Sequence, residues 1–279
     1  IGESLARGMA VQGATVVLAA RRQEKLDQVA HEINNSGGKA LGCWNSMDNP
    51  ITTEILALAG FDFLLIDHEH GYGDVKSLSL QLQSMKGTNC SSILRVPKAD
   101  ESYIQKALDA GTECLMFPKV NTSQEATQIV EMCRYAPLGS RGMAPGMIRA
   151  TNYGIDIPNY VKKASENTFI ICQIETPEAV ENLTEMGKVD GVDMFFIGPN
   201  DLSCSIGKFA QYEDPEFVAL IEKAENAIKK TGKLLGSIPY GNFNWQAMFD
   251  RGFQLTTAGS EVALLREVAV NIVREYTNK

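Results

Sequence analysis

From Gly38 onward, short and almost purely apolar runs alternate with stretches whose apolar positions recur at helical spacing. The runs predict eight strands: Ala40–Trp44, Phe63–Asp67, Ser92–Val96, Cys114–Pro118, Phe169–Glu175, Met194–Gly198, Leu234–Ile238 and Gln254–Ala258. Between them the spacing predicts helices over Val75–Met85, Ser102–Ala110, Gln124–Arg134, Pro177–Met186, Pro215–Lys230 and Glu261–Tyr276. Runs such as Phe63-Leu-Leu-Ile-Asp67 lack polar alternation, which implies strands buried on both faces. Strand–helix alternation implies a parallel sheet, and eight such units fit a (β/α)8 TIM barrel better than an open sheet. The longest irregular segment, Tyr135–Tyr160, is too long for an idle connection and is expected to be a functional or interface loop.

A barrel does its chemistry where the strands end. Asp67, Glu69 and His70 follow the second strand, Arg95 lies near the end of the third, Glu175 ends the fifth and Asp201 follows the sixth. Glu175 and Asp201 are hard oxygen donors that suit Mg2+ or Mn2+ with substrate and water completing the shell; each could equally cap the helix that follows. Arg95 could clamp a substrate carboxylate or form a structural ion pair. His70 could be a general base near neutral pH or a rim residue without a role. His68 is expected to be peripheral, and His31 to be solvated on a polar helix face.

Composition narrows the partners. The net charge is −8 and the basic residues are scattered, which argues against nucleic acid. No apolar run reaches the roughly 18 residues of a membrane span, and no signal peptide is expected. The six cysteines form no Cys-x-x-Cys pair and are expected to be reduced, mostly buried thiols of a cytoplasmic protein.

Several stretches carry a resemblance: Phe61-Asp-Phe-Leu-Leu-Ile-Asp-His-Glu-His-Gly71, Leu94-Arg-Val96, Leu108-Asp-Ala-Gly111, Arg134-Tyr-Ala-Pro-Leu-Gly-Ser-Arg-Gly142, Gln173-Ile-Glu175 and Ile197-Gly-Pro-Asn-Asp-Leu-Ser203. In this order and spacing, from about Leu41 to the C-terminus, the chain resembles the HpcH/HpaI aldolases. These are metal-dependent pyruvate aldolases that cleave 4-hydroxy-2-oxo acids. The resemblance implies a divalent metal (Mg2+, Mn2+ or Co2+) on Glu175 and Asp201, a catalytic His70 supported by Asp109, and Arg95 beside the pyruvate oxygens. It also implies Gln173 on the substrate side and backbone of Gly198, Pro199 and Asn200 along the pyruvate carboxylate. Pyruvate and an aldehyde would leave through an enolate stabilised by the metal and Arg95, with no role for a Lys119 Schiff base. A homo-oligomer, hexamer or trimer, with C-terminal helices packed across subunits, is implied as well.

Residues 1–40 depart from that pattern. They resemble a truncated short-chain dehydrogenase segment, without its first strand, most of its glycine turn or a Tyr-x-x-x-Lys pair, so dinucleotide binding is not expected. The aldolase domain is taken as residues 41–279. An acyl-CoA lyase and a non-catalytic barrel scaffold stay open as alternatives.

Overall fold

The computed structural model describes residues 38–112 and 114–277. Residues 1–37, which hold most of the dehydrogenase-like segment and His31, lie outside the described residues. Eight parallel strands close into a barrel in sequence order. They are β1 (Ala40–Asn45), β2 (Phe63–Asp67), β3 (Ser91–Arg95), β4 (Cys114–Phe117), β5 (Phe169–Ile174), β6 (Met194–Ile197), β7 (Leu234–Ser237) and β8 (Leu255–Ser260). The helices are α1 (Pro50–Leu58), α2 (Val75–Ser84), α3 (Glu101–Asp109), α4 (Ser123–Cys133), α5 (Ile157–Asn167), α6 (Pro177–Met186), α7 (Pro199–Ser205), α8 (Pro215–Thr231), α9 (Trp245–Asp250) and α10 (Glu261–Thr277). All eight expected strands are present. Helices α1, α5, α7 and α9 were not expected from the spacing.

The helices begin where local chemistry starts them. Asp74 and Ser77 form a reciprocal capping box on α2, and Thr122 and Glu125 form another on α4. Thr176 caps α6 with Pro177 at its first position, and Asp214 does the same for α8 with Pro215.

Alternation along each strand sorts the side chains into two cores. Ile66, Leu94, Leu115, Phe117, Ile170, Cys172, Ile174, Phe195 and Ile197 pack outward under the helices. Phe63, Leu65, Ile93, Met116, Ile171, Met194 and Phe196 fill the barrel interior. Extending the inward parity to the carboxyl ends places Trp44, Asp67, Arg95, Gln173, Glu175 and Gly198 at one mouth. The polar groups are thus the top layer of the same stack whose lower layers are apolar.

Two segments leave this plan. Residues 135–156 join the end of α4 to the start of α5, so they cover the face opposite the mouth. Helix α10 meets the barrel mainly at β1 and β8. Of its residues only Glu261 is buried, while Leu265, Val268 and Ile272 are each about 60% exposed.

Phe63 lies flat against Gly42, where an added Cβ would stand 2.4 Å from the ring. Gly42→Ala is therefore expected to cost about 1–3 kcal/mol through overpacking, read as a lowered midpoint in thermal unfolding. An unchanged midpoint would show that the ring has room to move.

Candidate active site at the carboxyl end of the barrel

Asp67 and Arg95 are register partners on β2 and β3. The Asp67 carboxylate accepts two bonds from the guanidinium, Nε at 2.9 Å and Nη2 at 2.7 Å. Arg95 Nη1 lies 2.8 Å from Glu69 Oε2, and the guanidinium carbon sits 4.7 Å from the centre of the Trp44 ring. Trp44 Nε1 donates to Asp67 Oδ2 at 3.1 Å. Arg95 is only 6% exposed, so its charge is answered by two carboxylates and an aromatic face rather than by water. Burial alone would raise the Asp67 carboxyl, but the bonds and charge of Arg95 outweigh it and hold the pKa low.

The same carboxylate shapes the turn beyond β2. Asp67 Oδ1 accepts from the backbone N–H of Glu69 at 3.0 Å and of His70 at 3.3 Å. At Gly71 any Cβ would fall 2.0 Å from the Asp67 carbonyl oxygen, so the turn admits only glycine. His70 emerges with its side chain 71% exposed and Nε2 4.0 Å from Glu69 Oε2.

Glu175 follows β5 and is 3% exposed. Its Oε2 accepts from the Lys119 backbone N–H at 3.0 Å. Burial, then the charges of Asp201 and Glu69, push its pKa up to about 7, against the opposing pull of the Lys119 N–H and Arg95. Gly198 makes room for it: a Cβ there would lie 2.9 Å from Glu175 Cγ and Oε1. Asp201, in the first turn of α7, is exposed. Among the described residues no three histidine, cysteine or carboxylate side chains are placed to enclose an ion. The donor set is two carboxylates that follow neighbouring strands, one of them buried with negative charge around it that is only partly offset. That set fits a hard divalent cation whose other ligands come from substrate and water.

Gln173 is 2% exposed, and its Oε1 makes no hydrogen bond among the described residues. Pro199 is buried and Asn200 exposed, with the Asn200 side chain accepting from the Tyr212 hydroxyl.

The mouth therefore brings together Glu175, Asp201, Arg95, His70, Gln173 and Gly198. Asp109 ends α3, where its Oδ1 accepts from Arg141 Nη2 at 2.8 Å. Asp67 is the residue that sequence reasoning undervalued. The available signal was an aspartate ending an apolar strand in step with an arginine ending the next. His68 is buried, not at the rim. Lys119 contributes its backbone N–H, presented from a left-handed conformation (φ 53°).

An eight-stranded parallel barrel with paired carboxylates and a clamped arginine at its carboxyl mouth belongs to the class of barrel lyases and related enzymes. Residues 40–267 match the family model of the HpcH/HpaI aldolase/citrate lyase proteins, and the chain belongs to that family. It is 34% identical to the hydroxypyruvate/pyruvate aldolase of Roseovarius nubinhibens, over 84% of this chain and 91% of the relative. It is also 34% identical to the 5-keto-4-deoxy-D-glucarate aldolase of Klebsiella pneumoniae, over 85% and 91%. A crystal structure of a family member from Burkholderia cenocepacia superimposes with a TM-score of 0.80 at 29% identity, covering 86% of this chain and 96% of that one.

The raised Glu175 pKa has a definite sign. A carboxyl whose folded pKa exceeds its unfolded value of 4.5 is fully favourable below pH 4.5, and the advantage is lost as pH rises to about 7. In chelator, Glu175→Gln is thus expected to gain stability over wild type by up to roughly 3 kcal/mol between pH 4.5 and 8. Paired denaturant titrations at several pH values check this. A difference independent of pH would contradict it.

Proposed function

We propose that this chain is a divalent-metal-dependent pyruvate aldolase that reversibly cleaves a 4-hydroxy-2-oxo acid into pyruvate and an aldehyde. The observation that carries the reading is the buried Glu175 carboxylate facing Asp201 at the mouth that also holds Arg95. The aldolase names of relatives more than 30% identical support it. Glu175 and Asp201 would hold the cation, which when bound supplies Lewis-acid polarisation of the 2-oxo group.

The chain's own groups do the rest. Arg95 has five N–H donors; Asp67 fixes its plane with two hydrogen bonds, Glu69 pairs with it by charge, and donors are left for the substrate oxo oxygen. Because the guanidinium is held before substrate arrives, negative charge developing on that oxygen meets an already oriented donor. His70, solvent-facing beside Glu69, takes the proton of the 4-hydroxyl. The C3–C4 bond breaks, the carbonyl of the aldehyde forms, and the electron pair passes to the enolate of pyruvate. Return of the proton to C3 completes the cycle. The Gln173 amide and the backbone of Gly198, Pro199 and Asn200 border the bound acid. Succinic semialdehyde, tartronate semialdehyde and lactaldehyde are the partners to be tried.

The finer assignments have their own support. A homo-oligomer, hexamer or trimer, accounts for the uncovered apolar positions of α10. Six cysteines without disulfides suit the cytoplasm, and no helix of the described residues is long and apolar enough to cross a membrane. The family match begins at residue 40, one residue before the expected start of the aldolase domain, which supports a boundary there.

Pyruvate release from a panel of 4-hydroxy-2-oxo acids tests the reading. Activity is expected to vanish in EDTA, to return with Mg2+, Mn2+ or Co2+, and to fall by about 10³-fold in a folded Glu175→Gln variant. Metal-independent turnover, or none with any metal from folded wild-type protein, would overturn it.

A further inference from the structure

The loop that carries His70 is folded over a second histidine, and we propose that His68 and Tyr103 together form the post that positions His70 for proton transfer. This rests on the assignment of proton transfer to His70. In an extended chain two residues apart share a face. Here a turn separates them: His68 is 5% exposed, whereas the His70 side chain is 71% exposed. The His68 backbone N–H still continues the ladder, donating to the Arg95 carbonyl at 3.0 Å. Its side chain packs toward α3, where Nδ1 shares a 2.5 Å hydrogen bond with the hydroxyl of Tyr103. The two rings meet edge to face, 6.2 Å apart at 85°.

The rest of the loop closes on that ring. At Gly73 an added Cβ would lie 2.3 Å from His68 Nε2 and 2.9 Å from Asp48 Oδ1. The backbone therefore presses on the imidazole edge at a place that only glycine allows. Asp48 is itself held in a left-handed conformation (φ 53°), and its carboxylate accepts from Gln81 Nε2 at 2.6 Å. Asp74 closes the loop as the cap of α2. His70 thus sits on a short arch. Asp67 fixes one foot through its bonds to the backbone of residues 69 and 70, and His68 fills the space beneath.

The post is electrically neutral. Burial lowers the His68 pKa, against the opposing charges of Asp48, Asp67 and Asp74. Burial and the charges of Asp74 and Asp48 raise Tyr103 to about 12. The bond between Nδ1 and the Tyr103 hydroxyl fixes one edge of the imidazole, and the backbone at Gly73 closes on the other edge, where Nε2 has no hydrogen-bond partner among the described residues. Among the described residues neither side chain bonds to the side chain of Glu175, Asp201 or Arg95, so their effect is confined to the arch.

Steady-state kinetics of Tyr103→Phe, His68→Leu, His68→Asn and the double variant Tyr103→Phe/His68→Leu test this, with His70→Ala as control. Tyr103→Phe and His68→Leu are expected to lower kcat about tenfold while KM for the 2-oxo acid stays within about twofold. The double variant is expected to be no worse than either single one, because both remove one interaction. His68→Asn, which keeps a hydrogen-bonding atom near the Nδ1 position, is expected to recover most of the rate. Full activity in a folded Tyr103→Phe, equal losses in His68→Asn and His68→Leu, or a loss carried by KM would each overturn the proposal. If Tyr103→Phe does not fold, the His68→Asn and His68→Leu comparison decides. An inactive His70→Ala beside a fully active Tyr103→Phe sinks the post alone. A fully active His70→Ala sinks the His70 assignment, and the post with it.

Discussion

A guanidinium buried at the end of a strand must have its charge answered where it stands, because removing it from water costs several kcal/mol unless it is paired. Asp67 answers it for Arg95 with a two-point bond between adjacent strand ends. The rest of the mouth follows from this clamp. It draws Trp44 from β1 onto the guanidinium face and Glu69 onto its third nitrogen. The remaining lone pairs of Asp67 take the N–H groups of Glu69 and His70, so one carboxylate fixes both the Arg95 guanidinium and the backbone that carries His70.

Across the mouth the balance is reversed. Glu175 is buried near Asp201 and Glu69, and Arg95 offsets only part of that repulsion. The proposed cation and chelating oxo acid would meet surplus negative charge on one side and a locked positive group on the other. Gly198 and the Lys119 N–H hold Glu175 in place without adding a side chain that would fill the cavity. Preorganisation of this kind puts the reorganisation cost into folding rather than into the reaction.

Much of this is legible in the residues. Strands such as Phe63–Asp67 and Phe169–Ile174 are continuous apolar runs because both faces are covered, so they stand out without any alternation. The rule that barrels react at their strand ends then puts Arg95, Glu175, Asp201 and His70 on one surface. Helix α1 was missed although Asn49-Pro50 is a start signal, since its exposed Ile51, Ile55 and Leu58 blur the amphipathic pattern. His68 was taken as peripheral because the turn that buries it depends on Gly71 and Gly73 meeting specific backbone and ring atoms, which no local pattern encodes. The apolar stripe on α10 was legible, but the spacing alone did not say that its residues would lie exposed on the barrel rather than pack within it.

The account stands or falls on whether this mouth makes an enolate of pyruvate, and that half-reaction requires no knowledge of the aldehyde. Proton NMR of pyruvate in D2O reads it directly as loss of the methyl signal. With Mg2+ and wild-type protein, exchange well above the buffer rate is predicted, abolished by EDTA and strongly slowed in Arg95→Lys, whose ammonium cannot reproduce the planar fork. Methyl protons that exchange no faster than in buffer, with folded protein and saturating Mg2+, would contradict the central claim.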